Sequence, residues 1–325
     1  MNKRRKLVIA LGAGALVAPF SFAQSQGKVW RVGFLSSESA SGYQSRVDAL
    51  RTGVRDFGYV EGKNLLMEFR WAEGENDRLP ALASELVRLN VDVLVTHASL
   101  PTRAAKQATT TIPIVMATVS NPVGLGFVAS LARPGGNITG STFFPTEIAA
   151  KRIELLKEIL PRVTEVAVLL DPSETVALTR QAIETTARSV GVTLHEFAVR
   201  SPLEFDSAFA ALVKKRVGAV TALENPIMLA NAKPIADLAV RHQMPLICNG
   251  EVAEAGGVFG YGADLLGLYR RVGYFVDKIF KGAKPGDVPI EQPTKFDFVV
   301  NLKTAKALGI KIPDVIMLRA TKVIE

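Results

Sequence analysis

Apolar, β-branched runs alternate with segments of helical period along most of the chain. VWRVGFL (29–35) precedes a stretch in which Val47, Leu50, Val54 and Phe57 recur every three or four residues. NLLMEFRW (64–71) precedes one through Leu79, Leu82, Leu86 and Leu89, and VDVLVT (91–96) precedes one from Pro101. The second half keeps the rhythm with EVAVLL (165–170), VTLHEFAV (192–199), GAVTAL (218–223) and PLIC (245–248). Such alternation predicts βαβ units in open, mostly parallel sheets covered by helices. An internal repeat sharpens this: residues 86–118 laid beside 212–250 match helix end, strand, proline-bearing polar loop, helix, and then Ile-Pro-Ile-Val against Met-Pro-Leu-Ile.

The expected fold class is therefore α/β, with two similar Rossmann-like lobes and a hinge. An N-terminal lobe is expected over 24–142 and a C-terminal lobe over 143–262. Residues 263–325 then form a crossover, returning as a long helix and final strands shared between the lobes. The apolar helix ADLLGLYRRVGYFVDKIFKG (263–282) packs back on the first lobe in this scheme, and YGAD (261–264) is the hinge. Open α/β sheets bind ligands beyond the carboxyl ends of their strands, so two facing lobes surround one cleft with strand-end loops.

The opening MNKRRKLVIALGAGALVAPFSFAQ departs from the rhythm. Four cations, an apolar run from Leu7 to Ala18, Pro19 and the small residues of Ser21-Phe22-Ala23 are the parts of a secretory signal peptide over 1–23, cleaved after Ala23. Its twelve apolar residues fall short of the roughly 18 to 20 that span a bilayer. Arg4-Arg5 leaves both the general and the twin-arginine export routes open, and either makes the protein periplasmic. Removing 1–23 takes away four cations and no acid, so the formal net charge falls from +8 to +4. With no dense Lys/Arg stripe, that residual charge does not indicate a nucleic-acid partner. The single cysteine, Cys248, has no partner within the chain for a disulfide and reads as a buried thiol.

Candidate chemistry concentrates at strand ends. Gly124, Gly126 and Ala129 spell G-x-G-x-x-A, but the motif follows about the fourth strand, Asn121-Pro122 intervenes, and no strand-end acid stands about twenty residues on. It is not a dinucleotide loop. The glycines are instead expected to admit a close helix, with Ser120 and Asn121 presented ahead of a helix N-terminus suited to a ligand carboxylate. Comparable polar groups close the other strands: Ser36 and Ser37, His97 and Ser99, Asp171, Glu224 and Asn225, and Asn249. Each is equally a helix cap. Tyr43, in SSESASGYQ, is either a stacking platform for an aromatic ligand or a packing residue. There is no G-x-S-x-G elbow or P-loop, and His97, His195 and His242 lack Cys or carboxylate partners at ligand spacing. No enzyme activity, metal or cofactor is expected.

Three separated blocks carry a family likeness: GYVEGKNLLMEFRWAEGENDRLPALASELVRLNVDVLV, AAKQATTTIPIVMATVSNPVGLGFVASLARPGGNITG and AAKRIELLKEILP. In order and over essentially the whole chain after the signal, they resemble the ABC-transporter substrate-binding proteins of the group that includes tryptophan-binding members. The resemblance implies a bilobed periplasmic-binding-protein fold, type I-like, that holds one small-molecule ligand between its lobes and performs no chemistry. It implies delivery to an ABC permease with a cytoplasmic ATPase, by a monomer. Ligand contacts are implied at Ser36, Ser37, the loop from His97 through Ser99 to Thr102, Ser120, Asn121, Asp171, Glu224, Asn225 and Asn249. Asn121-Pro122 stands where many relatives carry Asp-Pro, so the ligand is left as a small organic molecule, aromatic or amino-acid-like. A sensing subunit that reports to a membrane receptor kinase is the alternative. A repressor effector domain of related fold would carry a helix-turn-helix where this chain has its signal.

Overall fold

The computed structural model describes residues 28–172 and 177–325, so the predicted signal segment lies outside the described residues. Lobe one is built on five parallel strands, β1 (Trp30–Ser36), β2 (Leu65–Trp71), β3 (Val93–Thr96), β4 (Ile114–Val119) and β5 (Ile138–Thr142), in the order β2-β1-β3-β4-β5. Three helices connect them: α1 (Gln44–Asp56), α2 (Leu79–Arg88) and α3 (Ser99–Ala108). Alternate strand residues face opposite ways. Leu35, Leu94 and Met116 pack under α2 and α3, whereas Phe34, Val93, Val95 and Val115 pack under α1 on the other face. Burial on both faces is why these strands read as continuous apolar runs.

In the second lobe, α4 (Pro145–Ile159), β6 (Glu165–Leu170), α5 (Ala177–Ser189), β7 (Thr193–Ala198), α6 (Phe205–Lys215) and β8 (Ala219–Ala222) come first. They are followed by α7 (Pro226–Ala230), α8 (Ala232–Arg241), β9 (Leu246–Cys248), α9 (Gly250–Ala255) and β10 (Phe259–Ala263). The chain then leaves for lobe one as α10 (Leu265–Phe280) and returns as β11 (Phe296–Asn301), α11 (Leu302–Ala307), α12 (Asp314–Arg319) and β12 (Lys322–Ile324). The seven-stranded sheet runs β12-β11-β10-β9-β8-β6-β7. Its one antiparallel pair, β10 with β11, sits where the chain has made this excursion. The two copies of the internal repeat become β3-α3-β4 and β8-α7-α8-β9, each with its strands adjacent and parallel.

Three chain crossings therefore join the lobes: after β5, between β10 and α10, and ahead of β11. The first and third run side by side, with Ser141 bridged to Glu291. Glycines fix α10 against α1: a Cβ on Gly53 would lie 1.9 Å from the Arg270 carbonyl oxygen, and one on Gly273 would lie 2.1 Å from that of Gly53. Among the described residues no helix is long and apolar enough to cross a membrane.

One sequence expectation fails here. No helix follows Ser120; residues 121–132 are turns and bends. The Asn121 side chain accepts the Gly124 N–H at 2.9 Å, mimicking a backbone turn, and Gly126 sits at φ +69°, which interrupts any helical continuation. Gly124 is needed because a Cβ there would lie 2.3 Å from the Asn121 amide, not to admit a helix.

Candidate ligand-binding site

The carboxyl ends of the two sheets face one another across a cleft enclosing about 760 Å³ of empty space, part of it open to solvent. Lobe one contributes Tyr43, His97, Ala98, Ser99, Thr118 and Ser120; lobe two contributes Ala149, Arg152, Thr179, Leu223, Glu224, Asn225, Pro226 and Leu229. Phe143, Pro145 and Leu265 come from the crossings. After β3 the chain turns at Ala98, whose φ of +57° is a strained value for a side-chain-bearing residue, and enters α3 with no side chain capping its first turn. On the opposite wall Asn225 does cap its helix: its Oδ1 accepts the Met228 N–H at 2.9 Å and its Nδ2 donates to the Leu223 carbonyl at 3.2 Å.

Two histidine contacts organise the lobe-one wall. His97 Nε2 lies 3.1 Å from Ser36 Oγ, and Nδ1 lies 3.4 Å from the Tyr43 hydroxyl, whose ring packs at 4.5 Å between centroids. Burial, reinforced by the nearby Arg46 guanidinium, pushes the imidazole pKa down to about 3, so His97 is neutral. The lobe-two wall holds a buried ion pair. Arg152 Nη2 donates to Glu224 Oε1 at 2.6 Å, and Nε donates to the Tyr261 carbonyl at 2.6 Å. The two side chains are only 1% and 4% exposed. Burial works against the Arg152 charge, but Glu224 beside it outweighs burial and raises its pKa above the ordinary value. Gly262 makes room for the pair, since a Cβ there would lie 3.0 Å from Arg152 and 3.3 Å from Glu224.

The lobes also touch directly. Arg46 on α1 pairs with Glu251 on α9 at 2.7 Å, and a Cβ on Gly42 would come within 2.7 Å of the Ala230 Cβ. Glu38 is buried at the same boundary. Burial, then Asp171 of the other lobe, then Glu73, raise its carboxyl to about 7.

Of the residues expected from sequence, Tyr43, His97, Ser99, Ser120, Glu224 and Asn225 line the cleft. Asn121 sits in an adjoining crevice with Ser99, Ser120 and Leu178. The others are not brought to the cleft wall. Ser36 lies beneath His97; the Thr102 hydroxyl bonds Thr96 Oγ1 and the Ala98 carbonyl; Asn249 caps α9 by accepting the Val252 N–H. Ser37 and Asp171 are buried away from the lining. Sequence reasoning missed Arg152, Phe143, Leu229 and Leu265. Arg152 had a signal: it stands on the apolar stripe of α4 with Ile148, Leu155 and Ile159, where a cation demands a partner.

The family model for ABC transporter substrate binding proteins matches residues 32–324. The chain belongs to this family. Family members are ligand-binding components of transporters rather than enzymes. A tyrosine-binding protein of Clostridioides difficile (strain R20291) is 25% identical over 260 residues, covering 79% of this chain and 74% of the relative. A Streptococcus pneumonia ABC domain solved in complex with L-Trp superimposes with a TM-score of 0.82 at 26% identity, covering 91% of this chain and 99% of that one. A conserved domain protein of Vibrio cholerae gives 0.83 at 28% identity, covering 91% and 100%. The two solved structures share this chain's α/β fold of two parallel-sheet lobes.

Proposed function

We propose that this substrate-binding protein is the periplasmic receptor of an ABC importer. It closes on an amino-acid-like molecule with an aromatic or other apolar body and delivers it to a membrane permease driven by a cytoplasmic ATPase. The carrying observation is that both lobes line one cleft, so a ligand there makes contacts in the closed form that the open form cannot offer. The cleft's apolar walls, Phe143, Leu223, Leu229 and Leu265, suit the body of such a ligand. The uncapped start of α3 suits a carboxylate, and Glu224 suits an ammonium. The tyrosine-binding relative and the L-Trp complex favour the same ligand class.

Thermal unfolding against a panel of amino acids and aromatic acids tests this. A ligand at about 1,000 times its dissociation constant adds about 4 kcal/mol to the folded state, several degrees in midpoint. Leu229→Arg, which fills the cleft, is expected to abolish that shift. A panel that stabilises neither protein, or stabilises both alike, refutes the proposal.

A further inference from the structure

Glu38 and Asp171 act on each other across the lobe boundary, Glu38 just past the carboxyl end of β1 and Asp171 directly after β6. In the sheet orders β1 stands three places from β5, and β6 stands three places from β10. At about 4.8 Å per strand, both acids lie roughly 14 Å from the crossings that join the lobes, so rotation about the crossings changes their separation more than that of groups beside the hinge. Both are buried, at 7% and 5% exposure. Glu38 lines a crevice of about 620 Å³, part of it open to solvent, through which protons reach it.

The charges that act on the Glu38 carboxyl are acids: Asp171 first, and then Glu73, which follows β2. Tyr43 beside it keeps its phenolic proton, because burial lifts that group well above its ordinary value. Arg46 on α1 is engaged by Glu251. From lobe two the crevice is lined by Pro202, Ala230 and Asn231, none of which titrates. Residues 173–176 read Ser-Glu-Thr-Val, so the titratable group that the sequence adds there, Glu174, is a further acid. With the lobes together, a carboxylate on Glu38 is out of water and faces like charge, and burial and these acids raise it to about 7. An opening motion that parts this boundary exposes Glu38 and draws Asp171 away, which returns the carboxyl toward its ordinary 4.5.

We infer that lobe closure is proton-coupled: the closed form takes up a proton from solvent on the Glu38 carboxylate, where it faces Asp171 and Glu73, so acidification favours closure and tightens ligand binding. The inference rests on the reading of the cleft as the site on which the lobes close. The group is an acid held above its ordinary value in the closed form, so its advantage is complete below pH 4.5 and is lost as pH rises through about 7.

Calorimetric titration of the purified protein with L-tyrosine and L-tryptophan, which stay zwitterionic across the range, measures both affinity and proton uptake when it is repeated in buffers of different ionisation enthalpy. Wild type is expected to bind about tenfold or more tightly at about pH 5 than at about pH 7.5, and to take up about half a proton or more at about pH 6. Glu38→Gln imitates the protonated acid, so it binds at about pH 7.5 as tightly as wild type does at about pH 5, with no uptake. Asp171→Asn keeps the Glu38 carboxyl and removes the charge facing it, which moves the uptake to lower pH; it also serves if E38Q shows no cooperative unfolding transition. Binding without uptake, or uptake that E38Q leaves intact, overturns the switch while the cleft's role stands. Should neither amino acid bind, the reading of the cleft fails, and small-angle scattering of ligand-free wild type and E38Q at the two pH values decides the switch by itself. Wild type more compact at the lower pH, with E38Q the same at both, supports it; wild-type dimensions that do not change overturn it.

Discussion

Replacing Arg46 by Met tests how lobe closure is held. The guanidinium is 1% exposed and the Glu251 carboxylate 26% exposed, at 2.7 Å, on helices of different lobes. The pair bridges the two lobes, so an opening motion that parts α1 from α9 breaks it. Removing one partner of a fully buried pair costs about 3–5 kcal/mol, and exposed pairs contribute about 0.2–1 kcal/mol. With one partner buried and the other a quarter exposed, the loss falls between, at about 1–2 kcal/mol. The dissociation constant for a closing ligand should therefore rise about 5- to 30-fold. Glu251 adds a pH signature: burial raises its carboxyl and Arg46 lowers it, so R46M leaves it still higher and the variant's deficit shrinks as pH falls. Calorimetry on wild type, R46M, Glu251→Gln and the double variant gives the coupling energy. R46M affinity within about twofold of wild type, or additive single effects, would refute the latch.

Other perturbations follow from the same structure. Glu38 has a carboxyl raised from 4.5 to about 7, so its contribution to stability is complete below pH 4.5 and lost as pH rises through 7, on the order of 3 kcal/mol in all. Glu38→Gln, which imitates the protonated acid, should raise the thermal midpoint above pH 7 and not near pH 5; a pH-independent difference contradicts this. Gly53→Ala drives a Cβ into the Arg270 carbonyl, and about 1–3 kcal/mol of overpacking exceeds the gain of about 1 kcal/mol in helix propensity. Urea unfolding should show net loss, and a more stable variant would disprove backbone contact between α1 and α10. Asn225→Ala removes the α7 cap and should cost about 1 kcal/mol, with Asn225→Ser recovering most of it. Equal midpoints for the Ala and Ser variants would mean that the cap contributes nothing.

The lobes were legible because their strands, buried on both faces, are written as unbroken apolar runs, and because the repeat placed β3-β4 and β8-β9 in equivalent positions. The site was only half legible, and the reason is local. At a strand end, successive side chains point alternately into the cleft and into the layer beneath, so His97 reaches the lining while Ser36 lies under it. A polar loop residue can also satisfy its own helix: Asn249 does only that, whereas Asn225 caps α7 and lines the cleft at once. The two arginines that organise the lobe boundary and the lobe-two wall came from helices instead. Arg46 shares a stripe with Val47, Leu50 and Val54, as Arg152 does with Ile148, Leu155 and Ile159. Their glutamates stand 205 and 72 residues away. Periodicity exposes the buried cation but not its partner, because pairing between elements far apart in the chain leaves no trace in local spacing. A lone cation on an apolar helix stripe therefore marks an inter-element ion pair more directly than a strand-end hydroxyl marks a ligand contact: burial forces the cation to find a partner, while the hydroxyl has several local ways to be satisfied.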